Sequence, residues 1–437
     1  MILSATTMII FTSIIVFFIV IILLVSLLLG AKAVLVPSGP VKIKINGEKE
    51  IEVASGGTLL STLGNNKIFL ASACGGKGTC AECGCQVTSG GGSILPTELP
   101  HFTRKEIAED WRLSCQVKIK EDMEIIIPEE VFGIKKWEAT VVSNYNVASF
   151  IKEFVIEVPE DMDYKAGGYV QVEIPEVEIP FTDIDITAHP EEHPGQPDKF
   201  QLEWDKFGLW DLKMKNDEVT ERAYSMASYP AEGRRIMLNV RVATPPFDRA
   251  KNGWMDVNPG IASSYIFSLK KGDKVTVSGP YGEFFINEES ESEMLYIGGG
   301  AGMAPMRSHL YHLFKTLETG RKVTYWYGGR SKRELFYLDH FKELEDKFPN
   351  FKFYVVLSEP LEEDNWKTKK DMSDEDGDGF LGFVHQAVID QYLVNHPEPE
   401  EIEFYFCGPP LMNAAVLKMC DEWGVPEENV SFDDFGS

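Results

Sequence analysis

Basic residues are few in this sequence. Its 437 residues include 42 Lys and Arg against 68 Asp and Glu, which gives a formal net charge of −26 at pH 7. A negative surplus of this size opposes binding to phosphate-rich partners and to anionic lipid. The composition therefore predicts no nucleic-acid partner. With 44% hydrophobic and 25% charged residues, it is typical of globular domains, about three for this length.

Cysteine is also scarce, and its placement argues against a secreted disulfide framework. The chain has seven cysteines, and four of them lie between Cys74 and Cys85. An odd number, crowded in this way in a large chain, does not suit paired disulfides and is typical of a reducing compartment. The bulk of the chain is therefore predicted to be cytoplasmic.

Charge is absent from the N-terminal segment Ile2 to Leu29. As a helix rising about 1.5 Å per residue, this segment is longer than the roughly 30 Å hydrocarbon core of a bilayer. A cleaved signal peptide is the alternative, because Ala31-Lys-Ala33 fits a small-x-small cleavage site. However, no Lys or Arg precedes the apolar run, and the run exceeds the length of a signal h-region. The sequence predicts a single membrane-spanning helix.

The orientation of this helix follows from the basic residues beyond it. The first ones are Lys32, Lys42 and Lys44. Positive charge is retained on the cytoplasmic side of a membrane, so the C-terminal bulk is predicted to lie there.

A hairpin signal opens the next segment, where VKIKINGEKEIEV (41–53) alternates with period two around Asn46-Gly47. Cys74, Cys80 and Cys83 follow with the spacing C-x5-C-x2-C, and Cys115 lies further on. Plant-type [2Fe-2S] ferredoxins use C-x4-C-x2-C and a distant fourth cysteine. The loop here is one residue longer, and the spacing predicts a [2Fe-2S] cluster held by these four thiolates.

The glycines of this loop suit a cluster site. Gly75, Gly76 and Gly78 can adopt positive φ and turn their N–H groups toward sulfide. A four-cysteine zinc site and a CxxC redox pair are the alternatives, but zinc ribbons usually bring two CxxC pairs, and Cys115 stands alone. Cys85 is close enough to compete as a ligand, although the x2 spacing favours Cys83.

A second domain is predicted after Lys136. WEATVVSNYNVASFIKEFVIEVP reads as strand, turn and strand, and GGYVQVEI (167–174) as another strand, which is typical of an antiparallel barrel. Residues 176–216 interrupt this pattern. His189 and His193, which lie in the interruption next to prolines, have no fixed metal-binding geometry and are expected to be solvent-exposed.

RAYSMAS (222–228) is predicted to form a strand of this barrel. Alternation lets Arg222 and Tyr224 share one face, while Ser225 turns the other way or lies at the end of the strand. Barrel strands often alternate polar and aromatic residues, so the string alone is a weak signal. The segment that follows it is more specific.

PGIASSYIFSLKKGD (259–273) predicts a helix that begins at small residues. Gly260, Ser263 and Ser264 lie where free N–H groups and the helix dipole can hold a diphosphate. An ordinary serine N-cap is the alternative interpretation.

The third domain opens with MLYIGGGAGMAPMRS, a buried strand that runs into Gly298, Gly299, Gly300 and Gly302. Such glycines let the backbone approach a pyrophosphate. Pro305 stands where the dinucleotide fingerprint has its last Gly or Ala, which argues against the dehydrogenase type. Strands and helices then alternate, which predicts a doubly wound α/β sheet with ligands at the C-terminal strand ends.

The motifs RxYS, a Gly-Ser helix start, GGGxG and CGPP occur in this order. Together they resemble the ferredoxin-NADP reductase superfamily, in which a flavin barrel is joined to a nicotinamide domain. The apolar N-terminus, the cysteine loop, SGGGSILPTEL, YWYGGRSKRE and the terminal DDFGS narrow the resemblance to the NADH-oxidising subunits of sodium-translocating NADH:quinone oxidoreductases. It covers essentially the whole chain.

The resemblance implies an N-terminal transmembrane helix, a β-grasp-like α+β ferredoxin domain, an antiparallel β-barrel for FAD and an α/β doubly wound domain for NADH. The expected boundaries are 1–31, 38–131, 135–286 and 293–437. The implied cofactors are FAD, a [2Fe-2S] cluster and NADH. The implied partners are the membrane subunits of a sodium-pumping complex, with quinone as final acceptor, in a bacterial inner membrane.

The resemblance also assigns site residues. The implied cluster ligands are Cys74, Cys80, Cys83 and Cys115. The implied FAD contacts are Arg222, Tyr224, Ser225, Gly260, Ser263 and Ser264. The implied nicotinamide-dinucleotide contacts are Gly299, Gly300, Gly302, Arg330 and Gly408. The implied catalytic residues are Ser225 near flavin N5, Cys407 beside the nicotinamide, and Phe435 as the aromatic cover of the flavin, for which a surface tail is the alternative.

Three alternatives concern function. Arg330, Lys332 and Arg333 could also receive the 2′-phosphate of NADPH. A reductase component of an oxygenase shares the three modules, and a membrane-tethered scaffold with relic motifs belongs to another class.

The acidic stretch KKDMSDEDGDGF (369–380) resembles a calcium loop, but His385 stands where the bidentate Glu is needed, so a solvated acidic loop is expected.

Overall fold

A computed structural model of the chain describes residues 2–35, 39–72, 74–248, 250 and 253–435. The chain divides into two compact units, Met1–Gly133 and Ile134–Ser437. The predicted domain boundaries are finer than this division and stay predictions. Across the described residues, no helix combines the length and apolar content required to cross a membrane.

The first unit is a mixed sheet of five strands in the order β2-β1-β5-β3-β4. Its helices and strands, in chain order, are α1 Ile2–Leu35, β1 Pro40–Ile45, β2 Lys49–Ala54, α2 Leu59–Asn65, β3 Gly84–Ser89, α3 Arg104–Ala108, β4 Trp111–Leu113 and β5 Met123–Ile126. The predicted hairpin is confirmed, because β1 and β2 pair antiparallel. Its turn residues Asn46 and Gly47 have φ of 52° and 76°.

The second unit begins with an antiparallel sheet in the order β11-β8-β15-β6-β7-β12. A bridge between Met226 and Leu238 links the two outer edges of this barrel. Its helices and strands are β6 Lys135–Ala148, β7 Ile151–Glu157, β8 Tyr169–Ile174, β9 Val177–Pro180, α4 Gln201–Phe207, β10 Lys213–Asn216, β11 Thr220–Ser225, β12 Arg235–Arg241, β13 Phe247–Asp248, β14 Gly253–Trp254, α5 Ile261–Ser268 and β15 Lys274–Tyr281.

The interrupting segment 176–216 packs on this barrel. It contains the antiparallel pair of β9 and β10, with α4 between them in sequence, and the Trp204 side chain of α4 is fully buried. The Trp204 Nε1–H donates to Ser149 O at 2.8 Å, which satisfies the one polar group that this burial removes from water. The segment thus adds a hydrophobic layer to the barrel core.

The expectation that His189 and His193 are solvent-exposed is wrong. His193 is buried, and its Nε2 lies 3.1 Å from Val147 O. His189 Nε2 lies 3.3 Å from Glu153 Oε1 on β7. Their neighbouring prolines gave a loop signal, but the loop folds back onto the barrel, and such tertiary packing is not visible in local sequence.

A parallel sheet completes the second unit, in the order β19-β18-β17-β16-β20-β21. Its helices and strands are β16 Met294–Gly299, α6 Met303–Lys315, β17 Val323–Gly329, α7 Leu338–Lys347, β18 Phe351–Leu357, β19 Phe380–Leu381, α8 Val384–Gln391, β20 Glu403–Cys407, α9 Pro410–Glu422 and β21 Val430–Asp433.

Successive residues of β16 enter two different hydrophobic cores. Met294 and Tyr296 pack with α6 and α7, whereas Leu295 and Ile297 pack with α8 and α9. A parallel strand covered by helices on both faces must be apolar at every position, as this one is. The strand therefore delivers its glycine turn to the carboxyl edge of the sheet, where ligands of such folds bind.

Candidate redox sites

The four predicted cluster cysteines lie in the first unit as two thiol pairs. Cys74 N donates to Cys80 Sγ at 3.4 Å, and the thiols of Cys80 and Cys74 share a hydrogen bond that lowers the pKa of Cys74 to about 3. A hydrogen bond between Cys83 and Cys115 lowers the pKa of Cys115 to about 7. Within the residues that the structure describes, no three candidate ligands already converge on one metal position.

The loop glycines have the predicted backbone. Gly75, Gly76 and Gly78 have φ of 65°, 80° and 77°, so the prediction of positive φ is confirmed. A Cβ on Gly76 would approach Cys115 Cβ at 3.9 Å. The loop that carries Cys74 and Cys80 therefore closes over the segment that carries Cys115, as a cluster shared by both would require.

Cys85 occupies a different environment from the other thiols of this unit. It is fully buried on β3 in the core of the sheet, opposite Arg112 of β4. Burial raises the pKa of this thiol to about 12. Cys83 and Cys115 instead pack together with Leu113. Cys85 therefore behaves as a core residue, which supports Cys83 as the ligand.

A buried ion pair, which the sequence analysis missed, positions β4, the strand that leads to the fourth predicted ligand, Cys115. Glu98 is completely buried, and it accepts hydrogen bonds from Arg112 Nε at 3.0 Å, Arg112 Nη2 at 2.8 Å, Leu113 N at 2.9 Å and Leu95 N at 2.8 Å. Arg112 Nη1 donates to Gly91 O and Gly92 O, both at 2.9 Å. The pair thus joins SGGGSILPTEL to β4, two residues before Cys115.

The barrel brings the RAYS residues to the end of β11. Arg222 Nη1 donates to Thr220 Oγ1 at 2.9 Å and to Glu221 O at 2.7 Å. Tyr224 is half-buried, and burial raises the pKa of its phenol. Ser225 is buried at the strand's last position, where its Oγ donates to Asp433 Oδ2 at 2.6 Å.

The contact between Ser225 and Asp433 was not foreseen from the sequence. Asp433 ends β21 of the parallel sheet, and burial raises the pKa of its carboxyl group. The motif DDFGS contains Asp433, but no local sequence pattern gave a reason to pair it with a serine 208 positions away. The last two residues of DDFGS lie outside the described part of the chain.

Helix α5 begins at the predicted small residues, with Gly260 at its N-cap. Ser263 Oγ accepts from Ala243 N at 3.0 Å and so fixes the preceding loop. Ser264 Oγ is buried and has no hydrogen-bond partner among the described residues. A buried hydroxyl beside the free N–H groups of a helix start fits an anionic ligand such as the FAD diphosphate.

The glycine turn after β16 packs against the end of β20. A Cβ on Gly302 would lie 2.1 Å from Cys407 O, and Gly300 has φ of 57°. A Cβ on Gly299 would lie 3.0 Å from Met412 Sδ, and one on Gly408 would lie 2.3 Å from Met412 Cε. At Gly302 only glycine permits this approach, because the atoms that a Cβ would meet belong to the backbone of Cys407 and Gly408. The approach brings the turn and the CGPP segment together.

Cys407, Arg330 and Phe435 complete the predicted positions. Cys407 is fully buried, and burial raises the pKa of its thiol well above the ordinary value. Arg330 is exposed and donates from Nη2 to Glu359 Oε2 at 2.8 Å. Phe435 follows β21, with 47% of its surface exposed.

Three protein-family models match the chain. They are the 2Fe-2S iron-sulfur cluster binding domain at residues 43–120, the oxidoreductase FAD-binding domain at 193–286 and the oxidoreductase NAD-binding domain at 296–418. The chain therefore has the three domains of an iron-sulfur flavoprotein that uses a nicotinamide nucleotide. FAD, NADH and a [2Fe-2S] cluster are its cofactors.

Curated relatives make the family specific. The chain is 52% identical over 412 residues to the Na(+)-translocating NADH-quinone reductase subunit designated F in Neisseria meningitidis, covering 94% of this chain and 95% of the relative. It is 50% identical over 414 residues to the same subunit in Pseudomonas aeruginosa and in a Marinomonas species, with the same coverage. The chain belongs to this family of Na(+)-translocating NADH-quinone reductase subunits.

Solved structures share the fold. The cytochrome P450 reductase GcoB of Amycolatopsis matches with a TM-score of 0.58 and 22% identity, covering 90% of this chain and 98% of that one. A ferredoxin reductase in carbazole 1,9a-dioxygenase matches with a TM-score of 0.56 and 22% identity, covering 91% and 99%. At this identity the likeness concerns fold alone, so the reductase component of an oxygenase is less favoured than the sodium-translocating family.

Proposed function

We propose that this chain oxidises NADH and delivers the electrons one at a time to membrane subunits of a sodium-translocating NADH:quinone reductase. The observation that carries the proposal is the 52% identity to the Neisseria meningitidis relative over 94% of the chain. Quinone is the final acceptor through those partners. A single apolar span without ionisable residues cannot form an ion path alone, so sodium translocation belongs to the partners.

The bound cofactors supply the chemistry: NADH gives a hydride, FAD accepts the electron pair and releases single electrons, and the [2Fe-2S] cluster accepts one. The chain's residues hold and orient these groups. The turn around Gly302 and the CGPP segment receive the dinucleotide, and the start of α5 with Arg222 receives the FAD diphosphate. Cys407 would lie beside the nicotinamide, and Phe435 would cover the flavin.

Ser225 and Asp433 act together at the flavin edge. The Ser225 hydroxyl is held by Asp433 Oδ2, so its orientation is set before substrate arrives. Burial raises the pKa of Asp433, and Oδ2 of this carboxyl group accepts the hydrogen bond from Ser225 Oγ. The pair would position the nicotinamide at the flavin edge.

The four thiolates of Cys74, Cys80, Cys83 and Cys115 would hold the cluster. Their arrangement as two close pairs, Cys74 with Cys80 and Cys83 with Cys115, supports this assignment. Metal binding requires all four groups as thiolates, so binding of the cluster would release their protons. The C-x2-C of Cys80 and Cys83 supplies one thiol to each pair.

NADH is favoured over NADPH by the carboxylates near the cations considered for a 2′-phosphate. Arg330 pairs with Glu359, and Arg333 donates to Glu203 Oε1 at 2.8 Å and also to Glu363. A phosphate dianion would have to displace or face these carboxylates. A ribose hydroxyl instead finds acceptors there.

We also propose that α1 anchors the chain in the bacterial inner membrane as a single span, with the folded units in the cytoplasm. Two observations support the anchor. The segment from Ile2 to Leu29 has no charged residue, and the large hydrophobic side chains from Phe11 to Leu27 are exposed. A row of exposed apolar side chains on a long helix is stable only against lipid or another apolar surface.

The test uses the full chain with its membrane complex. NADH should bleach the flavin absorbance and reduce a [2Fe-2S] cluster, and membranes should lose sodium-stimulated NADH:quinone activity when the chain is deleted. Electron delivery to a soluble oxygenase, with quinone reduction intact, would refute the proposal. An NADH-insensitive flavin spectrum would leave only a scaffold function.

A further inference from the structure

Ser114 is fixed between two cluster cysteines. It is completely buried and immediately precedes Cys115. Its N–H donates to Cys83 O at 3.0 Å, and its carbonyl accepts from Leu60 N at 3.0 Å. Both backbone groups are thus satisfied, and the backbone of Ser114 cannot rotate without breaking one of these hydrogen bonds.

The Ser114 hydroxyl, in contrast, is unsatisfied. Its Oγ has no hydrogen-bond partner of normal geometry among the residues described. The antiparallel register of β3 and β4 sets Gly84 opposite Leu113, and the hydrogen bond from Ser114 N to Cys83 O continues it, so Ser114 stands opposite Cys83. Directly opposed side chains of an antiparallel pair lie side by side on the same face, which places the hydroxyl next to the Cys83 thiol. A buried hydroxyl without a partner destabilises the fold, so its presence here favours an acceptor that arrives with a bound ligand.

We propose that Ser114 Oγ donates a hydrogen bond to the Cys83 thiolate of the bound [2Fe-2S] cluster and raises the cluster's reduction potential. The inference rests on the proposed assignment of the four ligands. A cluster-bound thiolate is a stronger acceptor than a thiol, so cluster binding supplies the missing partner. Reduction adds negative charge, and a donor to sulfur stabilises the reduced state more than the oxidised one.

Packing alone is the competing explanation for a small residue at this position. Three substitutions of Ser114 distinguish a packing role from a hydrogen-bonding role. Ser114→Ala removes the hydroxyl, while Ser114→Thr and Ser114→Val have nearly the same shape and differ in the presence of a hydroxyl. Ser89→Ala, at an exposed serine at the far end of β3, is the matched control.

Each full-length variant is purified, and its iron and acid-labile sulfide are counted. The midpoint potential of the cluster is then measured by redox titration followed by electron paramagnetic resonance. S114A and S114V should titrate at a more negative potential than the wild type, with shifted g-values. S114T and S89A should titrate with the wild type.

Each outcome is decisive. Equal potentials in all variants, or equal shifts in S114T and S114V, would overturn the inference. If S114A and S114V lose the cluster while S114T keeps it, the hydroxyl is required and the inference stands. If all three lose it, packing governs the position and the inference fails. A wild-type chain that holds no iron, or holds zinc, would instead refute the proposed function.

Discussion

At the scale of single residues, the nucleotide turn depends on the absence of one methyl group. The backbone of Cys407 occupies the place where a side chain on Gly302 would begin. The same carbonyl belongs to the residue expected beside the nicotinamide. A displacement of the glycine turn therefore also moves the CGPP segment. A change that destabilises the turn should for this reason alter the geometry for NADH binding.

Gly302→Ala is expected to destabilise the second unit by about 1–3 kcal/mol, as overpacking does. It should also slow flavin bleaching by NADH, because the turn must withdraw from Cys407 O. Stopped-flow absorbance and thermal unfolding measure the two effects. Gly320→Ala is the control, since a Cβ there meets nothing within 4 Å. A variant G302A as fast and as stable as G320A would contradict this prediction.

The environment of Glu98 predicts that the first unit loses folding stability at low pH. Burial alone would raise the pKa of Glu98, but hydrogen bonds from Arg112, Leu95 and Leu113 outweigh it and lower the pKa. A carboxyl group with a folded-state pKa below its unfolded value stabilises the fold above the unfolded value. That stability is lost as the pH falls through the lower, folded-state pKa.

Hydrogen exchange of peptides covering residues 90–115 should therefore accelerate, after correction for intrinsic rates, as the pH falls below about 4. Glu98→Gln should remove most of this pH dependence and destabilise the unit at neutral pH, since Arg112 stays buried without its carboxylate. Glu124→Gln, at an exposed position of β5, is the control. An unchanged pH profile in E98Q would speak against the assignment.

The ion pair of Glu359 with Arg330 predicts a preference for NADH over NADPH. Glu359→Gln removes the carboxylate that pairs with Arg330, so kcat/KM for NADPH relative to NADH should rise several-fold, and a tenfold rise corresponds to about 1.4 kcal/mol. Steady-state kinetics with both nucleotides measure the ratio. Glu375→Gln, an exposed change in the acidic loop, should leave it unchanged. An equal ratio in both variants would show that Arg330 does not face the 2′ position.

At the scale of elements, a buried polar network joins the barrel to the parallel sheet. Tyr337, just before α7, donates from Oη to Glu153 Oε2 on β7 at 2.7 Å and accepts from Asn239 Nδ2 on β12 at 2.8 Å. His189, from the segment that interrupts the barrel, faces the other oxygen of Glu153. The network thus links four segments distant in sequence, which are β7, β12, the segment that carries His189 and the residue that precedes α7. This linkage limits how far they can separate.

Tyr337→Phe is expected to lower the free energy of unfolding by about 1–3 kcal/mol, because Glu153 and Asn239 lose a buried partner. Tyr296→Phe is the matched control, since the Tyr296 hydroxyl is also buried but has no partner among the described residues. Denaturant unfolding of both variants measures the difference. A cost in Y296F equal to that in Y337F would assign the effect to loss of a buried hydroxyl in general, and not to the hydrogen bonds of Tyr337.

At the scale of the whole molecule, the apolar helix α1 should decide where the chain resides. A chain that begins at Gly39 should leave the membrane fraction and keep its NADH-dependent flavin bleaching, because the units that bind cofactors lie after that residue. Fractionation and absorbance spectra measure both properties. Replacing Lys42 and Lys44 by Gln in the full chain should leave it in the membrane. Membrane retention of the shortened chain would refute the anchor.

The sequence predicted the features that depend on local pattern. Alternation and Asn46-Gly47 specified the first hairpin, and the loop glycines specified positive φ. Contacts between distant segments were not predictable, because no local period encodes them. Glu98 with Arg112, His189 with Glu153, and Ser225 with Asp433 are of this kind. In each case, tertiary packing brings a charged or polar side chain to a buried partner.

The hydrogen bond between Ser225 and Asp433 also bears on the order of events during protein synthesis. Ser225 leaves the ribosome with the barrel, whereas Asp433 belongs to the final strand, 208 positions later. A nascent chain stalled before β21 therefore lacks Asp433, and the flavin edge that we propose around Ser225 would be incomplete even with the barrel folded. Stable flavin incorporation should accordingly be a late, post-translational event, and premature termination should yield an apoprotein.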